Sequence, residues 1–314
     1  MGGSSGGGAF SNNKSPAELR DAVRKAEDKT AVAAFETELS GTLGDLLGAY
    51  NGRDVETVRE RLGSLMEALD GSVEGNFDQL FGGSVAKHTY VDGLSDIDSL
   101  VLINDSALEG GTPQQVLAQM EAILARELGA EAAVTHGRMA VTVDYGDGMV
   151  IQLLPALKAE DGHVHVPSSR HDGWSKINPV AFQKALTRRN EECAGKLVPT
   201  IKLAKAIVGQ LPEAQRLSGY HMESLAIAAF RNYGGAKITT AMLPTFFEQA
   251  RELVLSPIRD RTGQSVHVDD YLGPANSDAR QAASHVLGRL ARRMRNATVA
   301  GSTAQWRALF GIDQ

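Results

Sequence analysis

Residues 82–103 read GGSVAKHTYVDGLSDIDSLVLI, and this stretch is the most informative part of the sequence. It begins with a Gly-Gly-Ser turn, which follows one apolar helical pattern and precedes another. It ends with an apolar run at 100–103, which predicts a buried strand. Glycine lets the backbone approach a ligand closely, and N–H groups at the start of a helix favour phosphate. Gly83 and Ser84 are therefore candidates to hold a phosphate group.

The same stretch places Asp96 and Asp98 on either side of Ile97. On a strand, side chains alternate between the two faces, so we expect both carboxylates on one face and Ile97 on the other. Two carboxylates held this close repel each other unless a cation lies between them. Magnesium prefers oxygen ligands, and paired metal ions stabilise the attacking and leaving oxygens of phosphoryl transfer. Either motif alone is more often an ordinary turn, but together, before an apolar strand, they favour a metal site.

The rest of the chain predicts an α+β protein whose strands lie in its first half. Residues 16–70 carry amphipathic helical patterns, and a helix opened by a proline is expected at 112–128. An Asp-Gly turn at 146–148 joins two apolar runs and predicts a hairpin. Helices are expected at 179–190, 195–209, 219–233, 239–253 and 278–297. We expect a disordered arm or cloning remnant at 1–15, a mixed lobe at 16–175 and a helical lobe at 176–314.

Composition narrows the class of protein. The chain has 314 residues, a net charge of -6 and 42% hydrophobic residues, which are ordinary values for a globular protein. Its single cysteine, Cys193, rules out an internal disulfide and fits a reducing compartment. No apolar run approaches the roughly 18 residues that span a bilayer, and the first residues lack the apolar core of a signal peptide. We therefore expect a cytoplasmic protein without a membrane partner.

The 82–103 motif resembles that of the DNA polymerase beta-like nucleotidyltransferases. Thr89 between its two halves and the SDID sequence are most similar to the cGAS/DncV-like enzymes (CD-NTases), bacterial synthases of cyclic oligonucleotides in anti-phage defence. KLVPTIKLAKAI at 196–207 and LSGYHMESLAI at 217–227 are similar to the helical lobe of that family. The resemblance covers about residues 40–300. It implies a polymerase beta-like lobe, built from a mixed sheet with helices, and a helical C-terminal lobe.

The resemblance also implies the roles of residues in the first lobe. Gly83 and Ser84 would grip the triphosphate of a nucleotide. Asp96 and Asp98 would be the catalytic residues and would bind Mg²⁺, with Mn²⁺ as an alternative.

In the helical lobe, the resemblance assigns Lys205 to a phosphate contact. Lys202 is its near-equivalent one turn earlier, and the sequence does not choose between them. Tyr220 would stack on a nucleobase, and Ser218 would reach a phosphate or the sugar. Without the first motif, a solvated helix face and a core aromatic would be the ordinary interpretations of these residues.

The sequence departs from the family pattern at one position. The family has a third carboxylate three residues before a Pro-Ala, and here that position is Gln152. A neutral amide is a poorer partner for a divalent cation and cannot take a proton from the attacking hydroxyl. The enzyme works with two aspartates, another acid substitutes, or the site is weakened, naturally or by an engineered change. Asp144 lies on the paired strand, but hairpin alternation is expected to turn it to the opposite face.

The family activity would join nucleoside triphosphates into short, cyclic oligonucleotide second messengers with release of pyrophosphate. Synthesis of linear RNA or DNA oligonucleotides and transfer of nucleotides to tRNA or protein are the enzymatic alternatives. A nucleotide-binding regulatory module with weakened catalysis is the alternative of another class, and Gln152 motivates it. Expected partners are the triphosphates, a downstream effector that receives the product, and a nucleic-acid or protein activator.

Three further patterns carry weaker signals. His163 and His165 form an HVH that could bind metal, but alternating positions on a strand are the simpler interpretation. The polar segment 259–273 could line an acceptor-nucleotide pocket, although a surface loop is the default. Four arginines crowd the last long helix and could meet a nucleic acid or a phosphate-rich partner; their default is a solvated helix end. They are Arg289, Arg292, Arg293 and Arg295.

Overall fold

The computed structural model describes residues 16–50, 55–81, 97–160, 163–168, 171–262 and 267–312. Its strands are β1 (Gly75–Phe81), β2 (Ile97–Ser106), β3 (Ala133–His136), β4 (Val141–Asp144), β5 (Val150–Lys158), β6 (Val164–Pro167) and β7 (Trp174–Ile177). Its helices are α1 (Pro16–Tyr50), α2 (Val55–Asp70), α3 (Pro113–Leu128), α4 (Pro179–Glu192), α5 (Leu197–Gly209), α6 (Gly219–Ala229), α7 (Thr239–Leu253), α8 (Asp278–Val299) and α9 (Thr303–Leu309). The α+β class expected from the sequence is confirmed. In this part of the chain, no helix is long and apolar enough to span a bilayer.

The strands form one mixed sheet in the order β1-β2-β5-β4-β3. Strands β2 and β5 run parallel, and the other pairs along this path are antiparallel. β6 pairs with the end of β5 and β7 pairs with β6. The predicted hairpin is confirmed, since the turn between β4 and β5 contains Gly146 and Gly148, both at positive φ (72° and 92°). Such angles are accessible to glycine without steric strain.

One face of the sheet is covered by α2 and α3. Alternate residues of β2, β4 and β5 on this face are buried, among them Val101, Val143 and Leu153, each with no exposed surface. Helix α3 begins as predicted, because Thr112 caps it in a reciprocal capping box with Gln115 and Pro113 occupies the first turn. The sheet is thereby fixed on this face, and its other face remains for further packing and for the site.

The second half of the chain forms a separate, larger hydrophobic cluster from α4 to α9. The C-terminal part of α1 joins this cluster through Leu39, Leu43 and Leu46, and α1 contacts α5, α7 and α9. Helix α9, which the sequence analysis did not predict, inserts the fully buried Trp306. The helical part is therefore anchored by the first as well as by the last of the described helices.

Two sequence expectations need correction. Residues 75–81 form the strand β1, so an apolar helix does not lead directly into the Gly-Gly-Ser turn. The segment pairs antiparallel with β2, and this long-range pairing leaves no helical or alternating signal in the local sequence. The helix expected at 219–233 ends at Ala229, and the chain turns at Asn232, whose φ is +59°.

Candidate active site

The register of the sheet brings the two halves of the expected metal site together. Position 98 on β2 pairs with Gln152 on β5, and Gln152 pairs with Thr142 on β4. Paired positions lie on the same face of a sheet. The flanking Ile151 and Leu153 are fully buried against α2 and α3, while Gln152 is half-buried. The row through positions 98, 152 and 142 therefore lies on the face away from these helices.

Other parts of the expected metal and triphosphate site fall outside the described residues. These are Gly83, Ser84 and Asp96, and Asp98 is described only by its place in β2. Their roles remain predictions. Within the described ranges, no group of three or more His, Cys, Asp or Glu side chains could hold a metal ion. In the HVH, His165 lies on β6 between the buried Val164 and Val166, as alternating positions on a strand predict.

Asp144 lies on the same face as Gln152, contrary to the sequence expectation. Thr142 pairs with Gln152 and Asp144 pairs with Val150, and positions two residues apart on a strand share a face. The error arose because the hairpin register could not be read from the turn sequence alone. The Asp144 carboxylate accepts a hydrogen bond from Gly146 N at 2.8 Å, so it is partly engaged in its own turn.

Lys205 and Glu223 form a buried ion pair between α5 and α6. Lys205 Nζ donates to Glu223 Oε1 at 2.7 Å, and their side chains are 7% and 1% exposed. The ammonium also lies against the first turn of α6, since a Cβ built on Gly219 would come within 3.3 Å of Nζ. Because Gly219 has no side chain, the buried ammonium of Lys205 can approach the N-terminus of α6. The N-terminus of a helix itself favours anions, so both features would attract a phosphate.

Lys202 lies one turn earlier on α5 and is half-buried. Burial lowers the pKa of its ammonium, and the nearby positive charge of Lys205 lowers it further. Lys205 is thus held by a carboxylate at the start of α6, and Lys202 experiences a cationic neighbour. The two lysines expected at the phosphate have different environments, which mutation can exploit.

Ser218 is the N-cap residue of α6. Its side chain accepts a hydrogen bond from His221 N at 3.2 Å. A cap uses a lone pair of the hydroxyl and not its O–H, so capping is compatible with the expected donation to a phosphate or sugar oxygen. The backbone N–H of Ser218 donates to Tyr271 Oη at 3.4 Å, which connects the start of α6 to the loop after α7.

Tyr220 is held from two sides. Its hydroxyl donates to Asp260 Oδ1 at 2.7 Å, and its ring packs on Phe182 with centroids 4.6 Å apart. Burial and the Asp260 carboxylate raise the pKa of the phenol, so Tyr220 is neutral at physiological pH. Asp260 also accepts hydrogen bonds from N and Oγ1 of Thr262, at 2.8 and 2.7 Å. Any stacking on a base must therefore use ring surface that Phe182 leaves uncovered.

A buried polar network beneath α6 was missed by the sequence analysis. Arg280, on the first turn of α8, is fully buried and donates to Asp269 Oδ2 at 2.6 Å and to the carbonyl oxygens of Val254 and Gly273, both at 2.9 Å. The network holds residues 254–262 and 267–277, which follow α7, against the helices. Its only sequence signal is the density of polar residues in the segment 259–273, whose default as a surface loop is wrong for the buried Asp260 and Asp269.

His221 connects this network to the start of α6. Its Nδ1 lies 2.9 Å from Tyr271 Oη, and its Nε2 lies 3.5 Å from Asp269 Oδ2. Burial lowers the pKa of His221 to about 4, although Asp269 acts against the shift. Burial acts to raise the pKa of Asp269, but hydrogen bonds from Arg280 and from Ile258 N prevail and lower it. The imidazole is therefore neutral and the carboxylate ionised at pH 7.

Several solved structures share this architecture. Escherichia coli MS115-1 CdnC, in a complex with HORMA-deltaN, is 18% identical over 82% of this chain and 90% of its own, with a TM-score of 0.62. Bradyrhizobium diazoefficiens CdnG with GTP is 18% identical over 87% and 96%, with a TM-score of 0.62. E. coli DncV in its 3'-deoxy GTP bound form is 12% identical over 95% and 90%, with a TM-score of 0.61. The fold is that of the polymerase beta-like nucleotidyltransferases.

Within that class, residues 49–190 match the family model of the Second Messenger Oligonucleotide or Dinucleotide Synthetase domain, SMODS. These residues are similar to a SMODS domain, and the resemblance to the cGAS/DncV-like nucleotidyltransferases is confirmed. No curated protein sequence matches the chain.

Proposed function

We propose that this protein is a metal-dependent nucleotidyltransferase that joins nucleoside triphosphates into short, cyclic oligonucleotide second messengers for anti-phage defence. The observation that carries the proposal is the SMODS match over 49–190, which contains both Asp96 and Asp98, together with the register that sets position 98 beside Gln152. Related folds were solved with nucleotides, among them CdnC with ATP and CdnG with GTP. Those ligands belong to those proteins and support a triphosphate substrate here.

The oxygen ligands expected at the sheet fit Mg²⁺. They carry one negative charge fewer than a set of three carboxylates. Asp96 and Asp98 would hold the ion, and the amide oxygen of Gln152, on the register row of position 98, is a neutral oxygen donor. When bound, the ion neutralises phosphate charge and activates the attacking hydroxyl. Mn²⁺ is an alternative for the same oxygen ligands. Asp144, on the same face as Gln152 and two residues along β4 from Thr142, is an additional acid for this region.

The remaining residues would bind and orient the triphosphate. Gly83 and Ser84 would grip its phosphates from the first lobe, and Lys205, at the N-terminus of α6, would meet them from the helical side. Ser218 would donate to a phosphate or sugar oxygen, and Tyr220 would stack on a base with the ring surface that Phe182 leaves uncovered. Positioning of this kind contributes much of the rate in phosphoryl transfer because little covalent chemistry is left to the protein.

In the proposed reaction, the 3'-hydroxyl of one nucleotide attacks the α-phosphorus of another. A new P–O bond forms, the bond to the β-phosphate oxygen breaks, and pyrophosphate leaves. The hydroxyl proton passes to solvent or to a phosphate oxygen, because the amide of Gln152 is not a base. A second such step within the same molecule closes the ring.

A product assay tests the proposal. The protein is incubated with all four ribonucleotides and deoxynucleotides plus Mg²⁺ or Mn²⁺, and the products are treated with phosphatase. Phosphatase-resistant products that vanish in Asp96→Asn and Asp98→Asn support cyclic synthesis. Asp172→Asn is the matched control, because that carboxylate is 85% exposed and pairs with Arg138 at the surface. Products that phosphatase attacks would indicate linear oligonucleotides, and labelled tRNA or protein would indicate transfer.

Gln152 favours one candidate function of another class, a regulatory module that binds nucleotides with weakened catalysis. This candidate predicts triphosphate binding without product in both metals, and a gain of product in Gln152→Glu. The CdnC relative was solved with a HORMA protein, which motivates adding a protein activator, and a nucleic acid separately, before the wild type is judged inactive. Triphosphate binding without product in every such mixture would contradict the synthase.

A further inference from the structure

Outside the candidate active site, α7 and α8 pack side by side. Glu248 on α7 meets Arg295 on α8, and Arg251 lies against Gly288, so residue numbers rise on one helix as they fall on the other. The helices are therefore antiparallel. Residues that face each other across the two helices form successive pairs one turn apart, which we call rungs. Of the arginines of α8 noted in the sequence, Arg292 and Arg295 face α7 on these rungs.

Two neighbouring rungs differ in charge. On the first, Arg295 donates to Glu248 Oε2 at 2.6 Å, an ordinary ion pair. On the next, Arg251 faces Arg292. The Nη1 atoms of both lie 3.8 Å from the point where a Cβ of Gly288 would stand, so they are separated by at most twice that distance. Like charges facing each other are destabilising, and an anion between them would remove the repulsion.

These arginines border a groove of about 290 Å³, which we call the α7–α8 groove. Its lining also includes Gln281, Ser284 and His285, and none of the described lining residues is acidic. Gly288 leaves the floor open where a side chain would fill it. Arg251 forms an exposed ion pair through Nε with Glu252 Oε1 at 2.7 Å, and its Nη1 lies beside the floor of the groove. The groove thus combines two guanidinium groups with hydroxyl, amide and imidazole groups.

We propose that the α7–α8 groove binds the phosphate moiety of a small phosphorylated molecule. A guanidinium donates two parallel hydrogen bonds to phosphate oxygens, and two guanidiniums can hold a phosphate or a pyrophosphate group from both sides. Ser284 and His285 add donors. The volume, at the lower end of small-molecule sites, suits a pyrophosphate or part of a nucleotide. None of the groove residues belongs to the candidate active site, so the proposal does not depend on the proposed function.

The arrangement favours a small molecule over a nucleic acid. A nucleic acid needs a stripe of cations that follows its backbone. Here Arg295 is paired with Glu248, and Arg289 Nη2 donates to Gln215 Oε1 at 3.4 Å. Among the arginines described on α7 and α8, Arg251 and Arg292 converge on one point, and the chain has a net charge of -6.

The groove lies at the base of the loop that follows α7. Gln281 Nε2 donates to the carbonyl oxygen of Asn276 at 2.8 Å, and Asn276 N donates to that of Leu255, also at 2.8 Å. This loop carries Asp260, the partner of Tyr220. Binding in the groove is therefore expected to slow hydrogen exchange at both ends of the loop.

Calorimetric titration of the full chain with inorganic pyrophosphate, in magnesium-free buffer of constant ionic strength, tests the proposal. We expect Arg251→Ala and Arg292→Ala each to weaken binding tenfold or more. Gly288→Leu, which fills the floor, should do the same without removing a charge. Arg293→Ala is the matched control, since Arg293 is exposed on the same helix outside the groove, and it should stay within twofold of the wild type. Circular dichroism checks that each variant is folded.

Hydrogen exchange with and without pyrophosphate locates the site independently. Protection at 251–255 and 281–292 that disappears in Arg292→Ala supports the groove. Parallel titrations with orthophosphate and ATP identify the source: tighter binding of ATP indicates a nucleotide, and equal binding of pyrophosphate and ATP indicates that the phosphates alone are recognised. Equal losses in Arg292→Ala and Arg293→Ala, or binding of an oligonucleotide without binding of pyrophosphate, would overturn the proposal in favour of diffuse charge or a nucleic-acid surface. Protection confined to α5 and α6 would overturn it as well.

Discussion

The ion pair between Lys205 and Glu223 allows structural and functional roles of one residue to be separated. The perturbation is Glu223→Gln, which removes the carboxylate charge but keeps the shape. At 2.7 Å and an effective dielectric constant of about 20, the Coulomb attraction is on the order of 6 kcal/mol. Most of it offsets the desolvation of two side chains that are 7% and 1% exposed. What matters for the variant is that the lysine is left as a buried charge.

Breaking a buried ion pair by removing one partner destabilises a protein by about 3–5 kcal/mol. For a chain of this size we expect the melting temperature to fall by roughly 6–10 °C, since about 2 °C accompanies each kcal/mol. Replacing both residues with apolar side chains of similar volume, Lys205→Met with Glu223→Leu, should restore most of the stability. Asp172→Asn, which removes an exposed partner of Arg138, should change stability by less than about 1 kcal/mol.

Thermal unfolding followed by circular dichroism, together with titration of ATP and Mg²⁺, is the assay. If Lys205 also contacts the triphosphate, the double variant regains its melting temperature but binds ATP at least tenfold more weakly than the wild type. A double variant that binds ATP normally would refute the assigned phosphate contact. A Glu223→Gln protein as stable as the wild type would refute the reasoning about the buried charge.

Three further predictions concern the loop and its network. Burial lowers the pKa of His221 from 6.5 to about 4, so the unfolded chain binds more protons than the folded chain between these values. The free energy of unfolding should therefore fall as the pH decreases through this window. Urea unfolding should show a flatter pH dependence in His221→Gln but not in the exposed control His285→Gln. Arg280→Met removes a fully buried cation and its hydrogen bonds, and it should destabilise the chain by about 3–5 kcal/mol. It should also speed hydrogen exchange in the loop after α7. Unchanged exchange would contradict the role of Arg280 in holding that loop. Tyr220→Phe removes the hydroxyl that donates to Asp260 and should lower the free energy of unfolding, measured with a chemical denaturant, by about 1.5–3 kcal/mol. If the hydrogen bond is the source of this loss, Tyr220→Phe should have no such effect in an Asp260→Leu protein.

Elements whose signals lie within a few consecutive residues could be predicted from the sequence. The capping box at Thr112 and the glycine turn at 146–148 are short-range signals, and both produced the expected structure. The strand β1 could not be predicted, because its stability comes from pairing with β2, which follows it after a long interval in the chain. Helix α9 was missed for a related reason. Its Trp306 packs in the hydrophobic cluster of the helical part, and this contact with distant residues cannot be read from the local sequence.

The candidate site divides in the same way. The Asp-x-Asp motif and the glutamine at 152 are recognisable because the residue types and their spacing are local. The register that sets position 98 beside Gln152 and puts Asp144 on the same face depends on how three strands align. The partners of Lys205 and Tyr220 come from α6 and the loop after α7, and no periodicity within one helix specifies them.

The most direct test of the account measures pyrophosphate release with Mg²⁺ in three proteins: the wild type, Asp98→Asn and Gln152→Glu. If nucleotidyl transfer takes place at the row of positions 98 and 152, Asp98→Asn should lower the wild-type rate at least a hundredfold, and Gln152→Glu should raise it tenfold or more by supplying a charged ligand and base. Equal rates in the wild type and Asp98→Asn would contradict the central claim, because the chemistry would then lie elsewhere in the protein.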